Sequence, residues 1–571
     1  MINKEYIKSD KLLLMNFSQR YCKSGSELLN SDCFKEVWSR FIDHAYKASM
    51  SGIINVVELS TNPKEDFIVL FQLLLTFSID EIVKNFPMYE KYLDDRDELF
   101  NLVEDFYNYW RRLQRYGIMY AKSNAYDVES VNFIDATQAF NDIVLSTYRG
   151  ICEKIAGKPF SIYRQLPAGT NASLLLSTQY IDPKGKYGFL NGCSFIESIV
   201  IKPPFIAYSA KNKRTGTYQE VFTSPLNRIS LNVDDFFCYA AHVGGSLAYV
   251  YFHRDFLAHG IALCNLFDFV PRKDCEGRKP DLMYIFGAEM EGDSVFYYDK
   301  EEDIYLGIAP HNSSVDYFGY MKKMLLTLYN VKMISQGNLP IHGACVNIRL
   351  KNGKTKNVVI VGDSGAGKSE SLEALTRTAG EDIASMKTIF DDMGTFKMVG
   401  NDVYAYGTEI GAFVRLDDMA ADYAYNEMDR AIFMNPNQTN SRLVIPVATY
   451  SEIMRGYKVD MVFYANNYDK DTKELTIFDS SLDATKVFIR GARFAKGTTQ
   501  EIGLVESFFD NPFGPVQKQK ETTKLINNYF SKLFENKVLV GELHTKLAVP
   551  GYERSGPQEA AEKLLELLKE N

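Results

Sequence analysis

The chain lacks most of the features that would assign it to secretion, to a membrane or to nucleic acid. Only eight of its 571 residues are cysteine, and no two form a C-x-x-C pair, so neither a disulfide framework nor a zinc ribbon is suggested. Long hydrophobic runs are missing as well. The most apolar stretch, Phe67 to Ile79, holds 13 residues between Asp66 and Asp80, short of the roughly 20 that span a bilayer. The first residues carry Lys4, Glu5, Lys8, Asp10 and Lys11 around only four consecutive apolar residues, Leu12 to Met15, which is not the pattern of a secretory leader. There is no surplus of positive charge: 64 basic against 73 acidic residues gives −9. That balance disfavours a general role on nucleic acid or anionic membrane but permits a local cationic pocket for a small anion. The expected compartment is the reduced cytoplasm.

What is present is an ordinary globular composition, 46% hydrophobic and 24% charged, long enough for about three to five domains or two large ones. Residues 1–150 read as a mainly helical N-terminal segment, with helical spacing around Phe34–Tyr46 and over Asp97–Tyr120. Trp110, Arg111, Arg112 and Arg115 read there as a solvated helix face with the indole turned inward. Residues 151–335 read as an α/β domain of short runs such as Phe195–Ile201 and Leu247–Phe252. From 336 to 571, strand-like runs (Val358–Val361, Lys387–Phe390, Met461–Tyr464) alternate with helices, again α/β. The chain closes on a helix beginning near Ser555 and Pro557, with Ala561, Leu564, Leu565 and Leu568 on one face.

The clearest chemical signal is Asn357-Val-Val-Ile-Val-Gly-Asp-Ser-Gly-Ala-Gly-Lys-Ser-Glu370. It contains the G-x-x-x-x-G-K-[ST] phosphate loop, comprising Gly362, Asp363, Ser364, Gly365, Ala366, Gly367, Lys368 and Ser369, with Glu370 following. A β-branched run enters the loop and a helical pattern leaves it. Backbone N–H groups and the helix N-terminus can therefore face phosphate, Lys368 can reach its outer oxygens, and Ser369 can bind Mg²⁺. An Asp pair, Asp391-Asp392, follows Ser369 by 22 residues at the end of a strand-like run. Alone such a pair more often caps a turn; beside a phosphate loop it reads as hard oxygen ligands for Mg²⁺ or Mn²⁺. Upstream lie His342 and Cys345. Two soft ligands without a second pair make a weak metal signal, and Cys345 reads as a small core residue.

Read together, these residues resemble the phosphoenolpyruvate carboxykinases. Tyr317-Phe-Gly-Tyr-Met-Lys-Lys323, then His342, then Gly362–Ser369, then Asp391-Asp392 follow the order of that family's motifs. The 19-residue interval from Lys323 to His342 is similar to its ATP-dependent branch. Asn440-Ser-Arg442 resembles an Asn-Thr-Arg segment, and Phe494–Thr498 through Pro512–Gly514 resembles the nucleotide-side C-terminal segment. The likeness covers roughly residues 150–515. The loop itself, and Ile341-His342-Gly343-Ala344, are also similar to the bacterial HPr kinase/phosphorylases; Lys322-Lys323 and Arg442 favour the carboxykinases. Met393 and Gly394 stand where the family usually has Glu-His.

The resemblance implies a two-domain α/β carboxykinase-like fold with a phosphate-loop nucleotide-binding C-terminal domain, to which residues 1–150 are an addition. It implies conversion of oxaloacetate and ATP to phosphoenolpyruvate, ADP and CO₂ through an enolate, with Mn²⁺ and Mg²⁺ as cofactors. By the same resemblance Lys323, His342 and Asp392 hold Mn²⁺. Lys322 remains a cation at the enolate, and Lys368 neutralises the transferring phosphoryl group. Ser369 holds the nucleotide's Mg²⁺, and Asp391 helps complete the metal shells. Arg442 grips phosphoryl or carboxylate oxygens, and Tyr317 and Arg164 contact substrate. The polar stretch from Asn466 to Asp483 is a candidate lid. GTP or pyrophosphate in place of ATP remains open, with Phe508-Phe509 as a possible guanine clamp, and so does serine phosphorylation of the HPr type.

Overall fold

The computed structural model describes the chain except residues 1, 10–11, 122–125, 180–182, 184, 214–217, 364, 379, 381, 417–428, 496–502 and 571, and the side chains of 126–131. It is a mixed α/β protein whose chain divides into two compact units. One is Met1–Asp182 with Ser194–Phe205, and the other is Pro183–Cys193 with Ile206–Asn571. Among the described residues no helix is long and apolar enough to cross a membrane.

The first unit is a helical layer with a small sheet. Ser31 begins the helix Asp32–Lys47, its hydroxyl accepting from the Phe34 N–H at 3.2 Å, so an orphan donor of the first turn is satisfied. The helix turns Trp38 inward, where its ring centre lies 5.1–5.7 Å from Phe41, Phe67, Phe71 and Phe106. These rings come from three helices, Asp32–Lys47, Pro63–Thr76 and Arg96–Arg112, and hold them on one aromatic core. The helix expected over 97–120 stops at Arg112. Gln114–Tyr120 is instead a strand, parallel to both Leu12–Asn16 and Ala172–Leu176. Its Gly117 explains part of the switch. A Cβ there would lie 2.6 Å from the Phe17 ring and 2.7 Å from Ser173 Oγ, so the backbone must pass close to its neighbours.

Arg115 consequently does not lie on a solvated face. It is 1% exposed, and its guanidinium donates to the carbonyls of Trp110, Gly169, Leu113 and Pro167 at 2.6, 2.7, 2.9 and 3.1 Å. Burial lowers its pKa to about 10, leaving it charged at neutral pH. Trp110 does point inward, its indole N–H donating to the Ala168 carbonyl at 2.6 Å.

In the second unit, one sheet contains Phe236–Val243, Ser246–His253, Leu282–Ala288, Ile304–Pro310 and Val295–Asp299 in that spatial order. Its three middle strands are parallel and read as nearly continuous apolar runs, as strands covered on both faces do. Another sheet is built on the 12-residue strand Leu339–Leu350. On one side that strand pairs antiparallel with Thr355–Val361. On the other it pairs with Met393–Val399 through its first half and with Ile383–Phe390 through its second. Beyond Thr355–Val361 follow the parallel strands Met461–Asn466 and Leu539–His544.

Successive side chains alternate between the two faces of this sheet. Val359, Val361, Val462 and Tyr464 pack under the helices Ser481–Arg490 and Gln519–Glu535. Val358, Ile360, Met461 and Phe463 pack under Lys368–Thr378 and the closing helix Ser555–Glu570. Ala561, Leu564, Leu565 and Leu568 of the closing helix are all buried there. A smaller antiparallel sheet joins Gly411–Arg415, Arg442–Pro446 and Ile432–Met434.

Replacing Arg115 by Met leaves several buried carbonyls without a donor, each costing about 1–3 kcal/mol. Urea unfolding followed by tryptophan fluorescence, which reports the first unit because both tryptophans lie in it, should show a loss on the order of 3 kcal/mol or more.

Candidate active site at the phosphate loop

The strand Leu339–Leu350 brings the site together. Its register sets His342 opposite Met393 and Gly343 opposite Val361. One residue pair therefore stands between the acid pair on one side and the start of the phosphate loop on the other. The backbone fixes both neighbours: Gly343 N–H donates to the Asp392 carbonyl at 3.0 Å and Gly362 N–H to the His342 carbonyl at 2.9 Å. Gly343 has no room for a side chain, since a Cβ would meet the Ile360 carbonyl oxygen at 2.4 Å.

The loop has the strand-turn-helix form expected of it, between Thr355–Val361 and Lys368–Thr378. Ser364 lies outside the described residues. Gly367 adopts φ +94°, and a Cβ on it would lie 2.5 Å from Thr545 Oγ1, so only glycine fits. The Lys368 ammonium is turned into the loop, donating to the Gly362 and Asp363 carbonyls at 2.5 and 3.1 Å. Ser369 Oγ donates to Asp391 Oδ1 at 3.3 Å, which brings the loop hydroxyl and the first acid together. Burial raises the pKa of Asp391, with the Asp392 charge adding to it and Lys368 pulling the other way.

Asp392 is the meeting point. Lys322 Nζ and Lys323 Nζ each lie 2.7 Å from its Oδ2, and His342 Nε2 lies 2.9 Å from its Oδ1. Both lysines come from the first turns of the buried helix Phe318–Ser335. Burial opposes ionisation of Asp392, but the two ammonium groups and the imidazole hold it well below the usual carboxylate range. The lysines part company. Burial would lower Lys322, yet Asp392 and Glu409, the latter 2.8 Å away, raise it above the ordinary lysine value. Lys323 is lowered by burial and by the charge on Lys322, despite Asp392. The pair is thus divided into a fixed cation and an amine that loses its proton more readily.

His342 has a defined tautomer. Its Nδ1 lies 2.8 Å from the Asp510 backbone carbonyl, which can only accept, so Nδ1 carries the proton. Nε2 faces Asp392 Oδ1 at 2.9 Å and lies 3.5 Å from Asp363 Oδ1, oxygens it can meet only as a donor; it offers a lone pair to a cation once that proton leaves. Three residues that the sequence reading did not single out, Arg493, Asp510 and Glu409, complete the cluster. Arg493 donates twice to Asp363 Oδ2, from Nη2 and from Nε, the latter at 3.1 Å. It also lies 3.6 Å from Asp510 Oδ1. Asp510 Oδ2 accepts from the Asp363 N–H at 2.6 Å, bracing the loop. Burial works against the Asp363 charge, but Arg493 and His342 hold it low; burial and the Asp363 charge raise Asp510. Burial pushes Glu409 up to about 7 against the pull of Lys322.

Lys323 and His342 thus meet on the two oxygens of one carboxylate, and an amine, an imidazole and a carboxylate, once the two nitrogens have lost their protons, are a donor set that suits a divalent transition metal. These residue types therefore fit the metal that the resemblance implies. No protein-family model matches the chain, and no curated protein matches it. The site accordingly stands on its own geometry.

The remaining candidates are placed as follows. Arg442 is buried, its guanidinium 5.1 Å from the Phe413 ring centre; Tyr317 (ring centres 6.2 Å apart) and Lys322 (5.8 Å) approach the same ring. The Arg442 Nε donates to Asn440 Oδ1 at 3.3 Å. Arg164 belongs to the first unit, exposed in the irregular segment after the helix Tyr126–Ala156. Glu370 is half-buried on the first turn of the loop helix. Cys345 is fully buried core, with burial raising its thiol pKa. Phe509 is also fully buried core, with Phe508 partly buried and packed against it.

The stretch expected as a lid is anchored instead. Asn466 and Asn467 are fully buried, Asn467 donates to the Gly365 carbonyl at 2.8 Å, and Leu475–Ile477 pairs with Leu539–His544. Of the segment Phe494–Thr498, residues 496–498 lie outside the described residues.

Asp392→Asn removes the anion that three nitrogen groups share, a change expected to cost about 3–5 kcal/mol. The folded pKa of Asp392 lies below its ordinary 3.8, so its contribution is present above that pH and is lost as pH falls through the folded value. The stability gap between the natural chain and the variant should therefore be full near pH 7 and shrink below about pH 4, as read by urea unfolding at each pH.

Proposed function

We propose that the second unit is a carboxykinase-type enzyme that converts oxaloacetate and a nucleoside triphosphate, ATP in the first instance, to phosphoenolpyruvate, nucleoside diphosphate and CO₂. On this reading the sheet around Leu339–Leu350 is the nucleotide-binding domain of a carboxykinase-like fold, and the first unit carries the added helical segment. The observation that supports it most is the convergence of Lys323, His342 and Asp392 beside Lys368, Ser369 and Asp391.

Lys323, His342 and Asp392 would hold Mn²⁺, and Ser369 with Asp391 would hold the nucleotide's Mg²⁺. Bound there, a divalent cation supplies Lewis acidity that favours negative charge on the enolate oxygen and on the phosphates. The reaction breaks the bond from C3 to the carboxylate carbon of oxaloacetate, releasing CO₂ and leaving the electron pair in an enolate. The enolate oxygen then attacks the terminal phosphorus and the nucleoside diphosphate leaves. Lys322, kept protonated by Asp392 and Glu409, opposes the enolate charge without giving up its proton, which would quench the enolate to pyruvate. Lys368 exchanges its loop carbonyls for phosphate oxygens. Arg442, with Tyr317 near the same ring, binds a carboxylate or the transferring phosphoryl group through its planar fork. His342 is held in one tautomer by Asp510, so its lone pair stays aimed at the metal position.

Full-length protein with Mn²⁺ and oxaloacetate should form phosphoenolpyruvate in a coupled assay with ATP; GTP and pyrophosphate run beside it identify the donor. No phosphoenolpyruvate with any of the three overturns the reading, as does oxaloacetate-independent phosphorylation of a protein serine. Lys323→Met should lower kcat by roughly 10²–10³-fold with the thermal midpoint little changed. Ser369→Ala should weaken binding of the Mg²⁺–nucleotide complex more than binding of oxaloacetate when each is titrated separately.

A further inference from the structure

A second group of nitrogen and oxygen donors sits elsewhere in the same unit. The parallel strands Ser246–His253, Leu282–Ala288 and Ile304–Pro310 are adjacent, and His253 ends the first while Glu289 and His311 directly follow the other two. Asp255 lies in the short turn Arg254–Phe256 that follows His253. These residues gather at the carboxyl edge of three parallel strands, the position where α/β sheets take their ligands. Close approach is built in, since a Cβ on Gly287 (φ +91°) would meet His253 Cβ at 2.8 Å.

The donors converge on one carboxylate oxygen. His311 Nε2 lies 3.1 Å and His253 Nδ1 3.5 Å from Asp255 Oδ2, and one ligand atom from each of the three residues lies within 4.8 Å of the others. Metal bonds of about 2.0–2.1 Å in a tetrahedral shell put neighbouring donor atoms about 3.3 Å apart, which these separations bracket. His253 Nδ1 accepts from the Asp255 N–H at 3.2 Å, so it is the unprotonated nitrogen of that ring. A lone pair thus confronts a carboxylate oxygen at 3.5 Å with no proton between them, a contact that a cation relieves. The far nitrogen of His311, Nδ1, lies 3.5 Å from Glu289 Oε1, the carboxylate-histidine arrangement that orients metal-bound imidazoles.

We propose that His253, Asp255 and His311 form a second divalent-cation site of zinc-like preference, in which Glu289 positions His311. Two imidazoles and one carboxylate are a donor set for Zn²⁺ and its neighbours rather than for Ca²⁺ or Mg²⁺, and three protein ligands leave a coordination position for water. The site does not depend on the proposed carboxykinase reaction.

Metal-stripped full-length protein equilibrated with Zn²⁺ and assayed for bound metal tests it. His311→Asn and Asp255→Asn should each hold one zinc ion per chain fewer than the natural protein, while His342→Asn retains that ion. Glu289→Gln, at a side chain 71% exposed and so without consequence for folding, should weaken zinc about tenfold. Equal zinc content in the natural chain, His311→Asn and Asp255→Asn overturns the site. If either variant does not fold, as judged by melting in metal-free buffer, an unchanged zinc affinity in Glu289→Gln overturns it.

Discussion

The second unit depends at its centre on one carboxylate shared by three nitrogen groups. Lys322 and His342 have fully buried side chains, and a buried ammonium without an anion would simply lose its proton or unfold the region. Asp392 answers both, and Glu409 takes the rest of the Lys322 charge. The arrangement is therefore a constraint as much as a bond: the buried charges of Lys322 and Asp392 each depend on the other. That is an unusual demand to build into a core unless the cluster has chemistry to do, because apolar residues of the same volume would pack as well at lower cost.

The sheet register enforces this constraint. His342 reaches Asp392 because its strand runs between the acid pair and the loop, and a one-residue slip would turn the imidazole to the opposite face. The backbone bonds from Gly343 to Asp392 and from Gly362 to His342 join loop, imidazole and acid into one rigid frame. On the loop side, Asp510 holds the Asp363 N–H through its side chain and the His342 ring through its carbonyl. A single loop residue thus braces the phosphate loop and fixes which His342 nitrogen faces Asp392.

How much of this was legible in the sequence follows from the distance over which each signal acts. The phosphate loop is a local device, with glycines, lysine and serine at set spacing between a β-branched run and a helix, and it folds as read. Lys323, His342 and Asp392 were legible only as an ordered set, and their meeting depends on a strand pairing that no spacing encodes. Arg493, Asp510 and Glu409 stand far along the chain from the partners they serve. Nothing local distinguishes them from ordinary surface charges; only the burial of both partners does. The strand Gln114–Tyr120 was misread for a related reason. Helical periodicity of apolar residues continues past Arg112, and what ends the helix is the tertiary placement of Arg115 among four carbonyls, which local propensity does not foresee.

The electrostatics of the two lysines carry the reasoning one step further. If both were charged, two ammonium groups would share one carboxylate oxygen at 2.7 Å each. The structure separates them by placing a second acid, Glu409, 2.8 Å from Lys322, whereas the ion-pair contact of Lys323 is with Asp392. Lys323 therefore yields its proton first, and its readiness to do so depends on Lys322 keeping its own. Glu409 acts on Lys323 in two opposed ways, raising it directly through its own charge and lowering it by keeping Lys322 protonated. A cation entering the cluster would displace a proton from Lys323 rather than from Lys322, so the charge added by the metal is partly offset by the charge that leaves. The buried cluster can then accept a divalent ion without a matching acid for each of its charges, while the fixed ammonium remains for an anionic partner.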